Sequence, residues 1–396
     1  MRKKVLITTV YKGYNYGTSL QAYASKIYIS NLGYDPEIIG YKDGISKGRD
    51  IRIKKLIVLF LRTFWRPKLF FKTFSTYKDS FKNVGSAESK KAFLNFQEFK
   101  LQIKKFSWNG LKKYSSSDNI LACLCGSDQI WNATSIYVDP IYYLRYAPQK
   151  KRVAFAPSFG KNEIPFYNRK IIKKYISGFG YLSIREKQGA DIIKELTGKK
   201  VPVLIYPTLL LDKETWLETI GGLNRIYNEP YILLYFLDKP SLVALEFIDK
   251  LLEINKCKVI SIPMVYDEFS NLINCVSFHA GPLEFIDLIA NATFVCTDSF
   301  HGTAFSVNLN KPFVAFKRNY WFATDQSSRI VSLLEKLNLA DRFISDKDYG
   351  NHVSLENEIS FENSNEILEC LRSKSKEYLL NAFSDIENKD GDYNEE

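Results

Sequence analysis

Residues 292–316 read ATFVCTDSFHGTAFSVNLNKPFVAF, and this stretch decides the fold. Residues 293–296 form a short apolar run that reads as a buried strand, and residues 312–316 read as another. Between them, Thr297-Asp298-Ser299-Phe300-His301-Gly302-Thr303 gives way to a helical run through Asn310. A strand that stops at a polar turn and resumes as a helix places that turn at the carboxyl edge of a parallel sheet. Ligands of open α/β folds bind there. Backbone N–H groups at the helix start suit an anion. His301 falls in the turn and is one of only three histidines, so few other side chains change charge near neutral pH. The same residues also read as an ordinary helix cap, with Asp298 or Ser299 as N-cap and His301 in the first turn.

Working outward, the same βα rhythm recurs in both halves. Residues 4–10 read as a first strand, the glycine-bearing turn 11–19 follows, and residues 20–31 read as a helix before a strand at 36–41. The turn lacks GxGxxG and the lysine of a P-loop, so neither nucleotide fingerprint is supported. Strands are expected at 120–125, 152–156, 181–186 and 201–206, and helices at 165–177 and 187–196. The first of these strands ends in Gly126-Ser127-Asp128-Gln129-Ile130-Trp131-Asn132. Arg185 stands at the carboxyl end of another, where a guanidinium fork can bind a carboxylate or phosphate. A salt bridge to Glu186 or Glu195 accounts for it equally well.

Residues 212–229 read as a linker. Strands at 231–237 and 258–263, a short piece at 276–279 and a helix at 282–291 then lead into the deciding stretch. A last helix starts near 325 with Arg329 in its first turn. His279 and His352 read as structural. At 396 residues the chain is too long for one ordinary core. The expected division is an N-terminal α/β domain over 1–211, a C-terminal one over 212–384, and an acidic tail over 385–396.

The composition is globular, with 45% hydrophobic residues. The start is basic, but its apolar run is too short for a signal sequence. The strongest apolar run, 56–61, falls far short of the ~20 residues of a spanning helix. A cytoplasmic location is therefore expected, at the inner face of the plasma membrane if the basic segment described next docks there. The six cysteines show no disulfide or zinc spacing, and Cys123 and Cys125 read as small apolar residues on one strand face.

The net charge of +11 is uneven. Residues 49–113 hold 17 Lys or Arg against 4 Asp or Glu, and read as a basic helical insertion. Within it, residues 51–74 interleave aromatic and basic side chains. Such a segment can lie on an anionic bilayer as a peripheral membrane contact. It can equally be an insertion with a buried apolar face. No nucleic-acid motif accompanies it, and nucleic acid is not expected as a partner.

Taken together, Asn15-Tyr16-Gly17, Gly126-Ser127-Asp128-Gln129-Ile130-Trp131-Asn132, Ser183-Ile184-Arg185-Glu186, Thr297-Asp298-Ser299-Phe300-His301-Gly302 and Ser328-Arg329-Ile330 resemble, in this order, the polysaccharide pyruvyltransferase family. The resemblance covers roughly residues 4–345, leaving out the insertion and the tail. It implies an α/β fold of two Rossmann-like domains facing across a cleft, similar to GT-B glycosyltransferases. It implies transfer of pyruvate from phosphoenolpyruvate to two hydroxyls of a sugar, forming a ketal, on a surface polysaccharide or its lipid-linked precursor. The partners are then phosphoenolpyruvate and a glycan or lipid-linked saccharide, with no metal and no cofactor. His301 falls on the family's histidine and Arg185 on its cleft arginine.

One departure stands out. Some members carry arginine two residues before the histidine, where this chain has Ser299. The missing contact is expected from Arg329, Lys317 or Arg318. The chemistry asks for a proton donor to the enolpyruvyl carbon, a role His301 suits, and a base for the sugar hydroxyl, for which Asp128 is the candidate. Asn15, Gly17, Ser127, Arg185, Ser299, Gly302 and Arg329 are the expected substrate-binding residues. Two other readings stand beside this one: a GT-B glycosyltransferase using a nucleotide sugar, and a non-catalytic binding protein of the same shape.

Overall fold

The computed structural model describes residues 2–42, 49–50, 53, 56–57, 60–61, 86–133, 137–161, 163–221, 225–263, 269, 275–318, 327–345 and 359–391. The chain divides into two compact units. Unit 1 comprises Met1–Phe71, Gln97–Leu210 and Leu371–Glu396; unit 2 comprises Lys72–Phe96 and Leu211–Cys370. Each is α/β and Rossmann-like, with its own parallel sheet.

In unit 1, β1 (Lys4–Thr8) leads into α1 (Tyr16–Asn31) and β2 (Asp35–Tyr41). A two-residue strand β3 (Arg49–Asp50) follows. The helix α2 (Ala87–Phe96) belongs to unit 2. The chain then adds β4 (Lys104–Phe106), α3 (Trp108–Ser115), β5 (Ile120–Cys125), β6 (Tyr137–Val138) and β7 (Arg152–Ala154). The helices α4 (Phe166–Ile176) and α5 (Lys187–Thr197) close this part. The sheet order is β4-β2-β1-β5-β7, parallel throughout, and β3 and β6 form a separate antiparallel pair. Every residue of β5 is buried, as expected of a central parallel strand covered on both faces. Cys123 and Cys125 sit in that core.

Unit 2 continues with α6 (Lys213–Ile220), β8 (Tyr231–Tyr235), α7 (Leu242–Asn255), β9 (Lys258–Ser261) and β10 (Cys275–Ser277). Then come α8 (Pro282–Asn291), β11 (Phe294–Thr297), α9 (Phe300–Asn308), β12 (Phe313–Phe316), α10 (Ser327–Lys336) and β13 (Phe343–Ile344). Its six strands run β10-β9-β8-β11-β12-β13, again all parallel. The deciding stretch therefore supplies two adjacent strands of the sheet and the crossover helix between them.

Several expectations change. The first helix starts at Tyr16 instead of residue 20, because Asn15 caps it by accepting from the Thr18 N–H at 3.0 Å. Residues 181–186 and 201–206 are not strands; a single bridge joins Tyr181 to Val153 of β7, and another joins Ile184 to Val203, linking the two segments to each other. Pro202 and Pro207 explain part of this, since neither can donate to a ladder. The expected linker contains α6, capped by Asp212 and anchored by buried Trp216 against Phe305.

The largest difference is α11 (Glu362–Gly391), a 30-residue helix that the sequence reading did not place. Residues 371–396 group with unit 1, not with a second domain ending at 384 or as a separate tail. Leu379, Ala382, Phe383 and Ile386 are buried, Phe383 meets Tyr34 edge-on at 4.9 Å, and the Tyr378 hydroxyl donates to the Ala154 carbonyl at 2.9 Å. His352 and most of the basic segment 51–74 lie outside the described residues. Among the described residues, no helix is long and apolar enough to cross a membrane.

Candidate active site

Both units gather polar side chains at the carboxyl ends of their central strands. In unit 2 the geometry begins where β11 ends. The Thr297 hydroxyl donates to the Tyr235 carbonyl at 2.6 Å and accepts from the Ser299 N–H at 3.0 Å, tying β8 to the turn. Asp298 is buried and accepts from the N–H groups of Leu237 (2.7 Å) and Asp238 (3.1 Å). Arg318, just past β12, donates from Nε to the same carboxylate at 3.1 Å and from Nη2 to the Asp298 carbonyl at 3.0 Å. One aspartate thus fixes the ends of β8, β11 and β12. Burial pushes its pKa up, opposed by Arg318 and the two N–H groups.

Ser299 is the N-cap of α9. Its hydroxyl accepts from the N–H groups of His301 (3.2 Å) and Gly302 (3.4 Å). Of the two caps that the sequence allowed, the structure selects Ser299, and His301 stands in the first turn. Gly302 has a packing reason of its own: a Cβ there would lie 2.5 Å from the Thr297 Oγ1 that holds the turn. The Phe300 and His301 rings meet edge-on at 5.4 Å, and the Arg329 guanidinium lies over the Phe300 ring at 5.5 Å. Of the three cations expected to replace the missing arginine, Arg318 is committed to Asp298, whereas Arg329 lies beside the helix start that carries His301.

In unit 1 the corresponding set surrounds the start of α1. Asp128 follows β5 in left-handed backbone, φ 71°, a conformation that non-glycine residues adopt at a cost. Its carboxylate accepts from the Thr18 hydroxyl at 3.1 Å and the Gln129 N–H at 2.8 Å, while its carbonyl accepts from the Ser158 N–H. Ser127 and Ser19 are wholly buried, and their hydroxyls find no hydrogen-bond partner among the described residues. Buried polar atoms without partners are rare enough to require a reason. Gly17, in the first turn of α1, accepts the Tyr206 hydroxyl at its carbonyl at 3.4 Å.

Arg185 has a side chain only 7% exposed. Its Nε donates to Glu186 Oε1 at 2.7 Å. Nη2 lies equally close to that oxygen but is not aligned to donate to it. The guanidinium stacks on Tyr206 at 5.0 Å, and Ser158 also donates to Glu186 Oε1. Burial opposes the charge, but Glu186, Tyr206 and Asp128 together hold the Arg185 pKa above its ordinary value. Glu195, the other partner allowed by sequence, pairs with Arg169.

The structure thus brings Asn15, Gly17, Ser127, Asp128 and Arg185 together in unit 1, and Ser299, His301, Gly302 and Arg329 together in unit 2. Sequence reasoning missed Thr18, Ser19, Tyr206 and Phe300. A helix start at Asn15 would have exposed the first two. Among the described residues, no cluster of His, Cys, Asp and Glu could hold a metal ion.

No curated protein matches the sequence significantly. Among solved structures, the UDP-GlcNAc 2-epimerase of Neisseria meningitidis is similar, at 10% identity and a TM-score of 0.45 over 94% of this chain and 100% of that one. The UDP-GlcNAc 2-epimerase of Methanocaldococcus jannaschii gives 13% identity and 0.44 over 94% and 99%. The E. coli heptosyltransferase WaaC gives 11% and 0.39 over 92% and 99%. Likenesses this distant carry no argument about activity. The sequence itself is more informative: the family described as polysaccharide pyruvyl transferase matches residues 15–320, a span that begins at the cap of α1 and takes in both polar sets apart from Arg329. That match covers well over half of the chain, and the protein belongs to the polysaccharide pyruvyl transferase family.

Proposed function

We propose that the protein transfers pyruvate from phosphoenolpyruvate to a sugar of a surface polysaccharide, or of its lipid-linked precursor, and closes a ketal on two hydroxyls. The observation that carries this reading is His301 in the first turn of α9, beside a guanidinium held over its neighbouring ring. Phosphoenolpyruvate has a carboxylate and a phosphate, and both suit arginine forks. One sugar hydroxyl adds to C2 while C3 takes a proton. The C2–O bond to phosphate then breaks, the second hydroxyl bonds to C2 and gives its proton to the departing phosphate, and the products are a cyclic ketal and inorganic phosphate.

In this reading His301 gives the proton to C3, and Arg329 reads an anionic group of the donor in place of the arginine absent at Ser299. Asp128 takes the proton of the attacking hydroxyl; its two hydrogen-bond donors fix the carboxylate's direction. Arg185 binds an anionic group, and Ser127 stands beside Asp128 in the turn after β5. Asn15 and Gly17 act by shaping the start of α1, and Ser299 and Gly302 by shaping the start of α9. No cofactor enters the chemistry, since phosphoenolpyruvate is itself the reactive donor. The reaction takes place on the cytoplasmic side of the membrane.

The test is phosphate release from phosphoenolpyruvate in the presence of a glycan acceptor, with mass spectrometry of the product. A product heavier by one pyruvyl ketal is expected. Turnover of a sugar nucleotide, with phosphoenolpyruvate unused, would overturn the proposal in favour of a glycosyltransferase.

A further inference from the structure

Arg145 and Arg152 stand side by side in unit 1. A Cβ at Gly178 would lie 2.5 Å from Arg145 Nη1 and 3.0 Å from Arg152 Nη1, so both guanidiniums converge on one point of the backbone. Arg152 opens β7 and is buried. Its Nε and Nη2 donate to the Ala147 carbonyl at 2.9 and 2.6 Å, and its Nη1 donates to the Gly178 carbonyl at 3.1 Å. Arginine carries five N–H groups, so one on each terminal nitrogen is left over. Arg145 is half-buried and lies over the Tyr175 ring at 5.5 Å. Among the described residues its guanidinium makes no hydrogen bond and no ion pair.

The surroundings do not balance these charges. From residue 140 to residue 185 the sequence holds ten Lys or Arg and one acid, Glu163, which is exposed. Lys173 and Lys174 end α4 and add to the excess. The carboxyl end of that helix supplies only a partial negative charge. The Tyr175 ring attracts the Arg145 cation without neutralising it. Burial, and then the Arg145 charge, pull the Arg152 pKa down to about 10. An anion between the two would turn their repulsion into attraction. Guanidinium forks match carboxylates and phosphates. A carboxylate brings one charge and two oxygens, whereas a phosphate brings up to two charges on more oxygens and so suits a pair of guanidiniums.

We propose that Arg145 and Arg152 bind a phosphate group at the amino end of β7. Asp128 follows the carboxyl end of β5, which runs parallel to β7, so this site lies at the opposite edge of the same sheet. Binding requires no turnover, and its test stands apart from that of the transfer chemistry. Equilibrium dialysis of the full-length protein against radiolabelled orthophosphate, at an ionic strength held constant with chloride, compares the wild type with Arg145→Gln and Arg145→Lys. Phosphate bound elsewhere is common to all three and cancels in the comparison. Arg145→Gln should bind the phosphate of this site roughly tenfold or more weakly, the scale of a lost charge-assisted hydrogen bond. Arg145→Lys keeps the charge but loses the fork, and should fall between the two. In phosphate-free buffer the thermal midpoint of Arg145→Gln should hold or rise, because one of two like charges is gone. Glycerol 3-phosphate is then added as competitor. Displacement would show that the site takes phosphate esters, and retention that it takes the free ion; either result supports the proposal.

Three results would overturn it. The wild type and Arg145→Gln could bind phosphate equally. Acetate could displace the phosphate as readily as unlabelled phosphate does, which would make the pair a general attractor of anions. Finally, the midpoint of Arg145→Gln could fall in phosphate-free buffer, which would make the stack on Tyr175 part of the fold and any loss of binding indirect.

Discussion

The Arg329 guanidinium lies 5.5 Å from the centre of the Phe300 ring, and that ring meets the His301 ring edge-on. A planar guanidinium matches a carboxylate or phosphate through its fork of N–H donors. If Arg329 reads the donor anion, Arg329→Ala should raise the KM for phosphoenolpyruvate about tenfold or more, the scale of a lost charge-assisted hydrogen bond. The KM for the glycan should hold. Steady-state kinetics with each substrate varied decides it, and an unchanged donor KM would remove Arg329 from the site.

His301→Ala should lower kcat by about 10² to 10⁴, the usual scale of general acid catalysis. Donor binding should change little, because Ser299 caps the helix through the His301 backbone N–H and not its ring. Titration of phosphoenolpyruvate into the folded variant separates the two effects. Near-normal turnover would leave His301 as a first-turn residue and nothing more.

Arg185→Lys keeps the charge but loses the planar contact with Tyr206 and the fork toward Glu186. Donor use should fall markedly while glycan binding survives. A lysine variant with full activity would reduce Arg185 to a structural ion-pair partner of Glu186.

The sheet of unit 1 is held at its edge by a buried carboxylate. Glu37 accepts from Lys4 (2.6 Å), Lys104 (2.7 Å) and Tyr114 (2.7 Å). Burial alone would raise its pKa, but the hydrogen bonds from Lys104, Lys4 and Tyr114 outweigh it and hold the carboxyl below its ordinary value of 4.5. A depressed carboxylate stabilises the fold above the unfolded value, and that stabilisation is lost as pH falls through the folded one. Glu37→Gln should therefore cost about 2 kcal/mol at neutral pH, the scale of removing one partner from a hydrogen-bonded charged group. The gap from wild type should narrow as pH drops below 4.5. Urea unfolding at neutral and acidic pH tests this, and a gap that does not depend on pH would contradict it.

Much of this was legible in the sequence because the signals were local. The span 120–125 is an uninterrupted apolar run between polar turns, and it is β5 to the residue. Pro282 opens a helix and Ala292 ends it, as the spacing of Leu283, Phe285, Ile286 and Ile289 requires. The cap at Ser299 was one of two that the turn allowed. What escaped was of two kinds. The acids after Asp385 masked a helical stripe already present in Leu368, Ser375, Leu379, Ala382, Phe383 and Ile386. The stack of Arg329 on Phe300 has no local signal at all, since the packing of α10 on α9 creates it. Similarly, the bond from Thr18 to Asp128 joins the first turn of α1 to the turn after β5, which are adjacent only because β1 pairs with β5.

The closing helix sets the order in which the protein can be made. Tyr378, Leu379, Phe383 and Ile386 belong with strands synthesised long before them, and Phe155 stacks on Tyr378 at 6.5 Å. Unit 2 is complete once Cys370 has left the ribosome, whereas unit 1 still lacks part of its core. The usual sequence of N-terminal domain first is thereby reversed. A nascent chain carries the first unit without α11 through the synthesis of the whole second one.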